Sequence, residues 1–538
     1  MTSPRTRWFG LLFISLAVSL IIVDSTIVNV SIPSIIEDLG ISSTQVQWVQ
    51  ESYTLVFAAL LLVFGALSDR FGRRRLLIIG MVIFVIASVF AGLAQDGSLL
   101  IGARVLQGFG GAMILPTTLS LVNANFRGKE RGIAFAIWGS TIGGMVAVGP
   151  LLGGWLTTDF SWRWAFGINI PLGIIIIIGA LLTVVESKES GNLRRIDWVG
   201  ALLSIVAMGS LVYGLIEGRT YGWWLVNKPF IIGDWKWSLG VSVTPFLFVI
   251  FALATTAFIL WGRSRIASGK STLIAFHLFS IASFRNGNVA AMVISLGEFG
   301  IILSLPLWLQ FVVGYDALQT GFVILALAIG AFMASGLVGG LGSRVSPVRL
   351  VQLGILLEIA GVAGVGFSIS PTSTWVNVVP WLFVYGLGVG LATAQLTNVI
   401  LKDVPIQESG QASGTQSTSR QLGSALGIAI LGTILFTSAQ IQLTNSLTDA
   451  GMPTAQVSST VATVVDSAGG AIVGFAADPA TRPIADYAKQ AVSDGTRNGA
   501  FAAAGFLVLG FLSTLSLGRS HKDEDEHAPT AEVKPAAS

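Results

Sequence analysis

Residues 65–75 read Gly-Ala-Leu-Ser-Asp-Arg-Phe-Gly-Arg-Arg-Arg and follow a long apolar segment. Residues 339–349 read Gly-Gly-Leu-Gly-Ser-Arg-Val-Ser-Pro-Val-Arg, and their first glycine and two aligned arginines have the same spacing. Each stretch joins two apolar segments through a short basic turn. This repeat predicts two homologous halves within one chain.

The composition of the chain around this repeat indicates a lipid environment. Hydrophobic residues make up 53% of the 538 and charged residues 11%, whereas a soluble domain has roughly 25% charged residues. Apolar stretches of about 20 residues, long enough to cross a bilayer, recur along the chain. We therefore expect an all-α membrane protein with many spans.

Fourteen transmembrane spans are predicted and are numbered here in chain order. They cover residues 8–32, 46–67, 75–94, 99–123, 132–157, 162–184, 197–216, 240–262, 287–312, 318–341, 349–369, 378–401, 410–437 and 497–518. The first span follows Arg5 and Arg7, as a signal sequence would, but it runs past Asp24 without a small-residue cleavage pattern. We expect it to remain as span 1.

The repeat and the spans divide the chain into four parts. Residues 1–186 form the N-terminal six-span half, and residues 187–270 form a linker with inserted spans 7 and 8. Residues 271–520 form the C-terminal half, in which the Ala-, Ser- and Thr-rich residues 438–496 are expected to be a long outer loop too interrupted to span. Residues 521–538 carry an acidic run and are expected to be a disordered tail.

The basic residues predict the orientation and the partners. Most of the 31 lysines and arginines fall beside the same ends of the predicted spans, and the positive-inside rule places those ends and both termini in the cytoplasm. The location is therefore expected to be a bacterial inner membrane. The basic residues form no separate domain, so we expect no nucleic acid as a partner. The expected partners are the lipid bilayer, a small-molecule substrate and protons, and the chain is expected to be a monomer.

Several kinds of chemistry are excluded or disfavoured by the residues present. The chain has no cysteine and three histidines, two of them in the tail, so thiol catalysis is excluded and a metal site is not expected. A Walker-type phosphate loop is absent. We predict no cofactor and no enzymatic activity.

Five motifs occur in order along the chain. They are Asp24 to Val30 with Pro33, Gly65 to Arg75, Leu100 to Gly111, Gly149 to Gly154, and Trp162-Arg163-Trp164 leading to Asn169-Ile170-Pro171. In these residues the sequence resembles the major facilitator superfamily, and within it the fourteen-span drug:proton antiporter branch. The resemblance covers nearly the whole chain. It implies the major facilitator fold, with two six-helix halves and two inserted helices, and proton-driven export.

Two of the motifs concern conformational change. By resemblance, the loop with Gly65, Asp69, Arg70, Gly72 and Arg73 is a conformational latch, and it also serves as a topology determinant. The glycines and proline of the fourth motif give a smooth helix face and a site of bending, which a hinge between two halves needs. Packing alone would use the same residues, which are Gly149, Pro150, Gly153 and Gly154.

Ionisable residues inside the predicted spans are the strongest functional signal, because each costs about 2.5 to 3.5 kcal/mol at the bilayer centre. They are Asp24, Glu51, Arg104, Glu298, Glu358 and Arg420. The first three lie at one level and predict a cluster in the N-terminal half. Glu298 and Arg420 predict a second cluster near mid-membrane.

By resemblance, the first span of each half lines a central cavity, so Asp24 and Glu298 are expected to face each other across it. A buried carboxyl group without a close cation holds its proton and releases it when a cation arrives. Asp24, Arg104, Glu298 and Arg420 are therefore the proton-coupling candidates. Resemblance places Glu358 on a lipid-facing helix and makes it a weaker candidate.

Substrate binding is predicted at Glu51 and at four aromatic residues. Quaternary-ammonium exporters of the resembled branch carry an acid at the position of Glu51, and the alternative is an acid that is only hydrated near the outer mouth. Tyr53, Trp138, Trp308 and Tyr385 could meet a lipophilic cation by cation–π contact. Their alternative role is packing.

The function predicted from the sequence is proton-coupled export of lipophilic, cationic toxic compounds. An alternative keeps the transporter but changes the substrate to a metabolite or an anionic antibiotic, with an arginine as counter-ion. A nontransporting membrane scaffold or sensor is a third possibility. It is disfavoured because a scaffold has no need of several buried charges.

Overall fold

The computed structural model describes residues 4–41, 43–187, 197–232, 235–341 and 345–517, and most of them are helical. The helices of the first part are α1 (Pro4–Leu39), α2 (Ser43–Phe71), α3 (Arg73–Gly92), α4 (Gly97–Asn125), α5 (Gly128–Asp159), α6 (Trp164–Gly167), α7 (Asn169–Thr183), α8 (Trp198–Tyr221) and α9 (Val243–Ala267). Between α8 and α9 a short antiparallel hairpin pairs β1 (Ile231–Ile232) with β2 (Trp235–Lys236).

The helices of the second part are α10 (Ala282–Phe311), α11 (Ala317–Leu341), α12 (Pro347–Ser368), α13 (Trp375–Ile400), α14 (Ser409–Asp449), α15 (Thr454–Asp466), α16 (Ala471–Ala477) and α17 (Arg482–Thr514). Three short 3-10 turns accompany them, at Phe276–Ser280, Ile406–Glu408 and Leu515–Leu517.

Twelve helices in the described part of the chain are long and apolar enough to cross a membrane. They include α8 and α9, the helices of the predicted insert. Two further long helices, α5 and α11, are not among the twelve but pack closely on each other inside the bundle. The all-helical membrane architecture is confirmed, and the count of fourteen spans stays a prediction.

The helices form two groups that meet along two lines of contact. In the first group α1 packs on α5 and α7, and α3 packs on α4; in the second, α10, α12, α14 and α17 pack together with α13. The groups meet where α5 contacts α11 and α13, and where α2 contacts α14. Helices α8 and α9 pack on each other, and α8 lies against α2.

The contact of α2 with α14, called here the α2–α14 seam, depends on glycines. A methyl group on Gly410 would lie 2.5 Å from the Gly65 carbonyl oxygen, and one on Gly65 would lie 2.5 Å from the Gly414 Cα. The backbones of the two helices therefore approach as closely as small residues allow. The end of the bundle with this seam and the α2–α3 turn is called the turn end.

The glycines of α5 pack that helix between the two halves. A methyl group on Gly149 would lie 1.8 Å from Thr26 Oγ1 of α1, and one on Gly153 would lie 2.9 Å from the Ile27 carbonyl oxygen. Gly154, on another side of α5, faces Leu318 of α11. The packing role is thus present, whereas bending at Pro150, which lies inside α5, stays a prediction.

The segment predicted as a long outer loop, residues 438–496, is largely helical; α15 and α16 are not among the candidate spans, and the position of the segment outside the membrane stays a prediction. Helix α14 continues to Asp449, α15 and α16 follow, and α17 begins at Arg482. The low hydrophobicity that argued against a span does not prevent an amphipathic helix. Val457, Val461 and Val464 recur at helical spacing and are buried.

Other predictions fall outside the described residues. The second copy of the basic turn includes residues 342–344, and the expected disordered tail begins at residue 521. The boundaries of the four parts of the chain also stay predictions.

Candidate transport sites

The Asp24 carboxylate is the centre of a buried polar cluster in the first half. Its Oδ2 accepts a hydrogen bond from Arg104 Nη1 at 2.6 Å, and its Oδ1 accepts from Gln107 Nε2 at 3.0 Å and Asn169 Nδ2 at 2.7 Å. Asp24 and Arg104 are almost completely buried. Three donors around one carboxylate fit its ionised form, so this pair is balanced in charge and in hydrogen bonds.

Three members of this cluster were missed by sequence reasoning. Gln107 and Asn169 both donate to Ser88 Oγ of α3 as well as to Asp24. Gln107 lies three residues after Arg104, on the same face of α4, so helical spacing could have indicated it. Asn169 lies within a motif whose individual side chains received no role.

Arg104 is further held by α2. Its Nε donates to the Val49 carbonyl oxygen at 3.1 Å, and its guanidinium carbon lies 4.3 Å from the centre of the Tyr53 ring. Tyr53, a predicted substrate residue, is buried beneath this cation. The aromatic surface predicted for a drug is therefore engaged by the protein's own guanidinium.

Glu51 does not join Asp24 and Arg104, and this part of the predicted cluster is wrong. Its carboxyl group lies instead beside that of Glu217 in α8. Val49 and Tyr53, four residues apart, share the face of α2 that meets Arg104. Glu51 lies two residues after Val49, about 200° around the helix, and so points to the inserted helix instead.

The Glu51–Glu217 pair, called here the acid pair, lies where the candidate span of α8 ends, one residue before Gly218. Glu217 is buried, and within the described chain the Oε2 atom of each glutamate is buried without a hydrogen-bond partner. The ring of Tyr213 stands beside Trp48 at 5.8 Å, one turn of α8 before Glu217. Two neighbouring carboxyl groups in a buried site repel each other when both are ionised, which favours retention of a proton by the pair.

The second half contains a cluster around Glu298 of α10. Arg420 Nη2 of α14 lies 3.5 Å from Glu298 Oε2, and Thr393 Oγ1 of α13 donates to Glu298 Oε1 at 3.2 Å. Tyr385 Oη donates to the backbone carbonyl of Glu298 at 3.3 Å. The predicted pairing of Glu298 with Arg420 is present, at a longer distance than that of Asp24 with Arg104.

Glu358 of α12 belongs to the same region, and its expected place on a lipid-facing surface is wrong. Its side chain is fully buried against Gly388 of α13, and its electrostatic neighbours are Glu298 and Arg420. Neither carboxyl oxygen of Glu358 has a hydrogen-bond partner among the described residues. The helix is peripheral on one face only, and Glu358 lies on the other.

Asp24 and Glu298 are held separately in the two halves, and their expected position facing each other across a cavity stays a prediction. Each carboxyl group is bonded within its own half, Asp24 to α4 and α7, and Glu298 to α13 and α14. A buried charge turns toward the nearest donors, and in both halves those are on neighbouring helices of the same group.

The predicted aromatic lining consists of tightly packed side chains. Trp138 of α5 is buried and donates its indole N–H to Thr118 at 3.2 Å. Trp308 of α10 is buried and donates to Ser493 of α17 at 3.1 Å. These contacts join helices within one half, as the packing alternative expects, while a substrate role for these residues stays a prediction.

The predicted latch lies at the turn end and bonds the halves together. Asp69 accepts hydrogen bonds from the backbone N–H groups of Gly410 and Gln411 at 2.8 and 2.9 Å. Arg73 Nη2 donates to Asp69 at 2.6 Å and also to the carbonyl oxygen of Ile406. The carboxylate thus caps the first turn of α14, where the helix dipole favours negative charge.

The same turn contains Gly72 and Arg70, which the sequence predicted, and it is contacted by Glu186, which the sequence did not indicate. Gly72 has a φ of 102°, and a methyl group there would lie 2.7 Å from the carboxyl carbon of Glu186. Glu186 accepts from the backbone N–H groups of Arg74 and Arg75, both at 3.1 Å, and so caps α3. Arg70 donates to Ser271 at 2.9 Å.

Further bonds join the halves at the same end. Asn123 donates to Ser409 at 2.9 Å, and Arg131 donates to Asn398 at 2.9 Å. Gln395 donates to the Gly132 carbonyl oxygen at 3.2 Å. Together with the Asp69 contacts, these bonds hold the turn end closed in this conformation.

A helical bundle of two groups, with buried charges in each and a bonded closure at one end, is the architecture of a multi-pass membrane transporter. The family model of the Major Facilitator Superfamily matches residues 14–428. The chain belongs to this superfamily, whose members are transporters and not enzymes.

Two relatives of similar length are resistance proteins. The puromycin resistance protein pur8 of Streptomyces alboniger is 33% identical over 436 residues, which cover 80% of this chain and 82% of the relative. The tetracenomycin C resistance and export protein of Streptomyces glaucescens is 28% identical over 535 residues, which cover 98% and 95%.

The fold is also that of solved transporters. The structure of the proton:xylose symporter XylE bound to 6-bromo-6-deoxy-D-glucose is similar, with a TM-score of 0.59, 12% identity, and coverage of 95% of both chains. At this identity the similarity shows the fold alone.

Proposed function

We propose that the protein exports lipophilic cationic compounds from the bacterial cytoplasm in exchange for protons, with the turn end on the cytoplasmic side. The similarity to antibiotic resistance proteins supports export of toxic compounds. The basic residues of the turn end support the orientation. We also propose that α5 and α11 cross the membrane, which would make fourteen spans.

The acid pair is the observation that carries the proposal. Glu51 and Glu217 are two neighbouring acids in one buried site, which hold a proton in this proposal, and the Oε2 atom of each has no hydrogen-bond partner in the described part of the chain. A cation entering between them would replace the proton and satisfy those oxygens. The neighbouring rings of Trp48 and Tyr213 suit a lipophilic cation, which gains from aromatic faces.

The cluster of the second half supplies a second exchangeable proton in this proposal. Glu298 and Glu358 are two acids near one guanidinium, that of Arg420. Charge balance therefore leaves one carboxyl group protonated. Each elementary charge moved across the membrane contributes about 2.3 kcal/mol per 100 mV, so proton entry can drive export of a cation.

The latch supplies the conformational part of the cycle. Asp69 caps α14 while the turn end is closed, and its release would open that end to the cytoplasm. Because the bonds of Asp69 are to backbone N–H groups, rigid movement of one half would break them together.

The proposal is tested by transport of tetraphenylphosphonium, a lipophilic cation, in everted membrane vesicles energised by a proton gradient. We expect Glu51→Gln and Glu217→Gln each to reduce gradient-driven uptake by about tenfold, which corresponds to about 1.4 kcal/mol. Asp449→Asn, a change at an exposed acid, serves as control and should transport like the unchanged protein.

Unchanged uptake in both glutamine variants would overturn the assignment of the acid pair. A separate outcome is unchanged uptake of tetraphenylphosphonium in both variants, together with protonophore-sensitive export of an anionic compound by the unchanged protein. In that case the alternative substrate class replaces the cation. Arg104 is a poor anion site because its guanidinium already bonds Asp24, Gln107 and the Val49 carbonyl oxygen.

A further inference from the structure

A cavity of about 380 Å³ lies between the inserted helices and the α2–α14 seam. Helices α8 and α9 form one wall, and Leu62 of α2 with Thr415 and Thr418 of α14 form the other. The cavity is therefore separate from the acid pair and from the clusters around Asp24 and Glu298. Its volume falls within the range of small-molecule pockets, roughly 300 to 1,000 Å³.

Two hydroxyl groups in this cavity are unsatisfied. Ser204 of α8 is 3% exposed, and its Oγ has no hydrogen-bond partner in the part of the chain that the structure describes. Thr255 Oγ1 on α9 is likewise a buried atom without a hydrogen-bond partner among the described residues. Buried polar atoms in proteins are nearly always hydrogen-bonded, so a pair of unsatisfied hydroxyls at one cavity indicates a missing partner.

The rest of the lining is aromatic and apolar. Phe258 and Phe276 stand with ring centres 6.1 Å apart, and Met208 lies on the neighbouring wall. Such a surface favours a planar apolar group, which gains from offset or edge contacts with rings and from the adaptable thioether of methionine.

The depth of the two hydroxyl groups in the cavity distinguishes between a small-molecule ligand and a membrane lipid. Thr255 lies eight residues before Arg263 on α9, about 12 Å along the helix, and Arg263 is the exposed cation at the end of the cavity. A phospholipid with its phosphate at Arg263 would place acyl carbon, which has no hydrogen-bonding atom, beside Thr255. Only a ligand with polar atoms at that depth satisfies both hydroxyls.

We propose that this cavity, which we call the side cavity, binds lipophilic aromatic molecules that carry hydroxyl or carbonyl groups. As far as these ligands are export substrates, the inference rests on the proposed function. The side cavity touches α2 and α14 next to the glycine contacts that join the halves. A ligand there lies beside the seam, where it can pass from the bilayer toward the transport path when the halves separate.

The test measures binding of 1,8-dihydroxyanthraquinone to the purified full chain in lipid nanodiscs, by quenching of tryptophan fluorescence and without a proton gradient. Ala207→Phe fills the side cavity, since Ala207 is buried in its wall, and should weaken binding at least tenfold. Ser204→Ala removes one hydroxyl at nearly constant volume and should weaken binding about two- to tenfold, the range of one hydrogen bond. Leu202→Phe, at an exposed position of α8, should bind normally.

Binding that is unchanged in both Ala207→Phe and Ser204→Ala would overturn the proposal. So would full displacement of the anthraquinone by phosphatidylglycerol together with insensitivity to Ser204→Ala, since that result assigns the cavity to lipid. Failure of the proposed function is a different result: binding would be normal, but the unchanged protein would show no gradient-driven transport of tetraphenylphosphonium in vesicles.

Discussion

The polar clusters of the two halves contain similar residue types but differ in how completely they are satisfied. In the first half, Asp24 and Arg104 are paired one to one at 2.6 Å, with Gln107 and Asn169 filling the second carboxylate oxygen. In the second half, Glu298 stands 3.5 Å from Arg420, and Glu358 brings an additional acid. A balanced pair fixes helices in place, whereas an excess acid holds a proton that can be exchanged.

The two clusters therefore differ in the number of acids per arginine and not in residue type. Breaking the balanced pair should damage the fold, and removing the excess acid should damage coupling while leaving the fold intact. Substitutions at the two kinds of cluster therefore separate these two outcomes.

The largest effect is expected at the balanced pair. Asp24→Asn or Arg104→Gln leaves an uncompensated buried charge, which costs about 3–5 kcal/mol. We expect each single variant to unfold at a markedly lower temperature in detergent, monitored by tryptophan fluorescence. The double variant should recover much of the loss, because neither charge then remains. Single variants as stable as the unchanged protein would contradict the structural role of the pair.

A second balanced pair, Asp69 with Arg73, lies at the turn end within the first half. It should behave differently because both residues also bond the second half, Asp69 at Gly410 and Gln411 and Arg73 at Ile406. Asp69→Asn weakens two hydrogen bonds to the first turn of α14, worth about 1.5–3 kcal/mol each when the acceptor is charged. We expect the turn end to open more often. Since the chain has no cysteine, a single Ser409→Cys reporter, buried in this conformation, should react faster with a soluble maleimide. Reaction at an exposed Ser264→Cys should not change.

At the unbalanced cluster, a loss of coupling is expected without a loss of fold. Glu298→Gln and Glu358→Gln each remove a proton carrier, and drug-evoked proton movement in vesicles should fall about tenfold, or about 1.4 kcal/mol. Melting in detergent should stay closer to that of the unchanged protein than in the Asp24→Asn variant. If proton movement survives both changes, the proton path lies elsewhere.

The smallest effect is expected at an exposed ion pair of the same chemistry. Asp38 accepts hydrogen bonds from Arg163 and from the Trp162 indole N–H, and these lower the pKa of its carboxyl group. A lowered pKa stabilises the folded state above the ordinary value near 4, and this stabilisation is lost as pH falls through the lowered pKa. Asp38→Asn should shift melting slightly at neutral pH and not at all in acid. A shift as large as that of Asp24→Asn would show that burial does not decide the effect.

The sequence was sufficient to predict the helical membrane architecture and the family, and it identified charged residues that the structure buries, among them Asp24, Arg104 and Glu298. Hydropathy identifies spans because the bilayer admits few other structures. The glycine and basic motifs are local, so Asp69, Gly72 and Arg73 were found where the structure uses them.

Side-chain direction and partners from distant helices were not predictable from the sequence. Glu51 was assigned to the wrong cluster because its depth was known but its helix face was not, and the partner Glu217 lies in an inserted helix with no repeat to compare. Glu358 was set aside because resemblance places its helix at the periphery, although one face of that helix is buried. For residues 438–496, hydropathy addresses only whether a segment can span the membrane, so the helices that this segment forms were not predicted.

The most direct test of the central claim is infrared spectroscopy of protonated carboxyl groups in the purified protein at neutral pH, through the carbonyl band that shifts in deuterated water. Our account predicts that Asp24→Asn leaves this band unchanged, while Glu358→Gln and Glu217→Gln each reduce it, because the protons reside on the excess acids. Loss of band intensity in Asp24→Asn, with no change in the two glutamine variants, would contradict it.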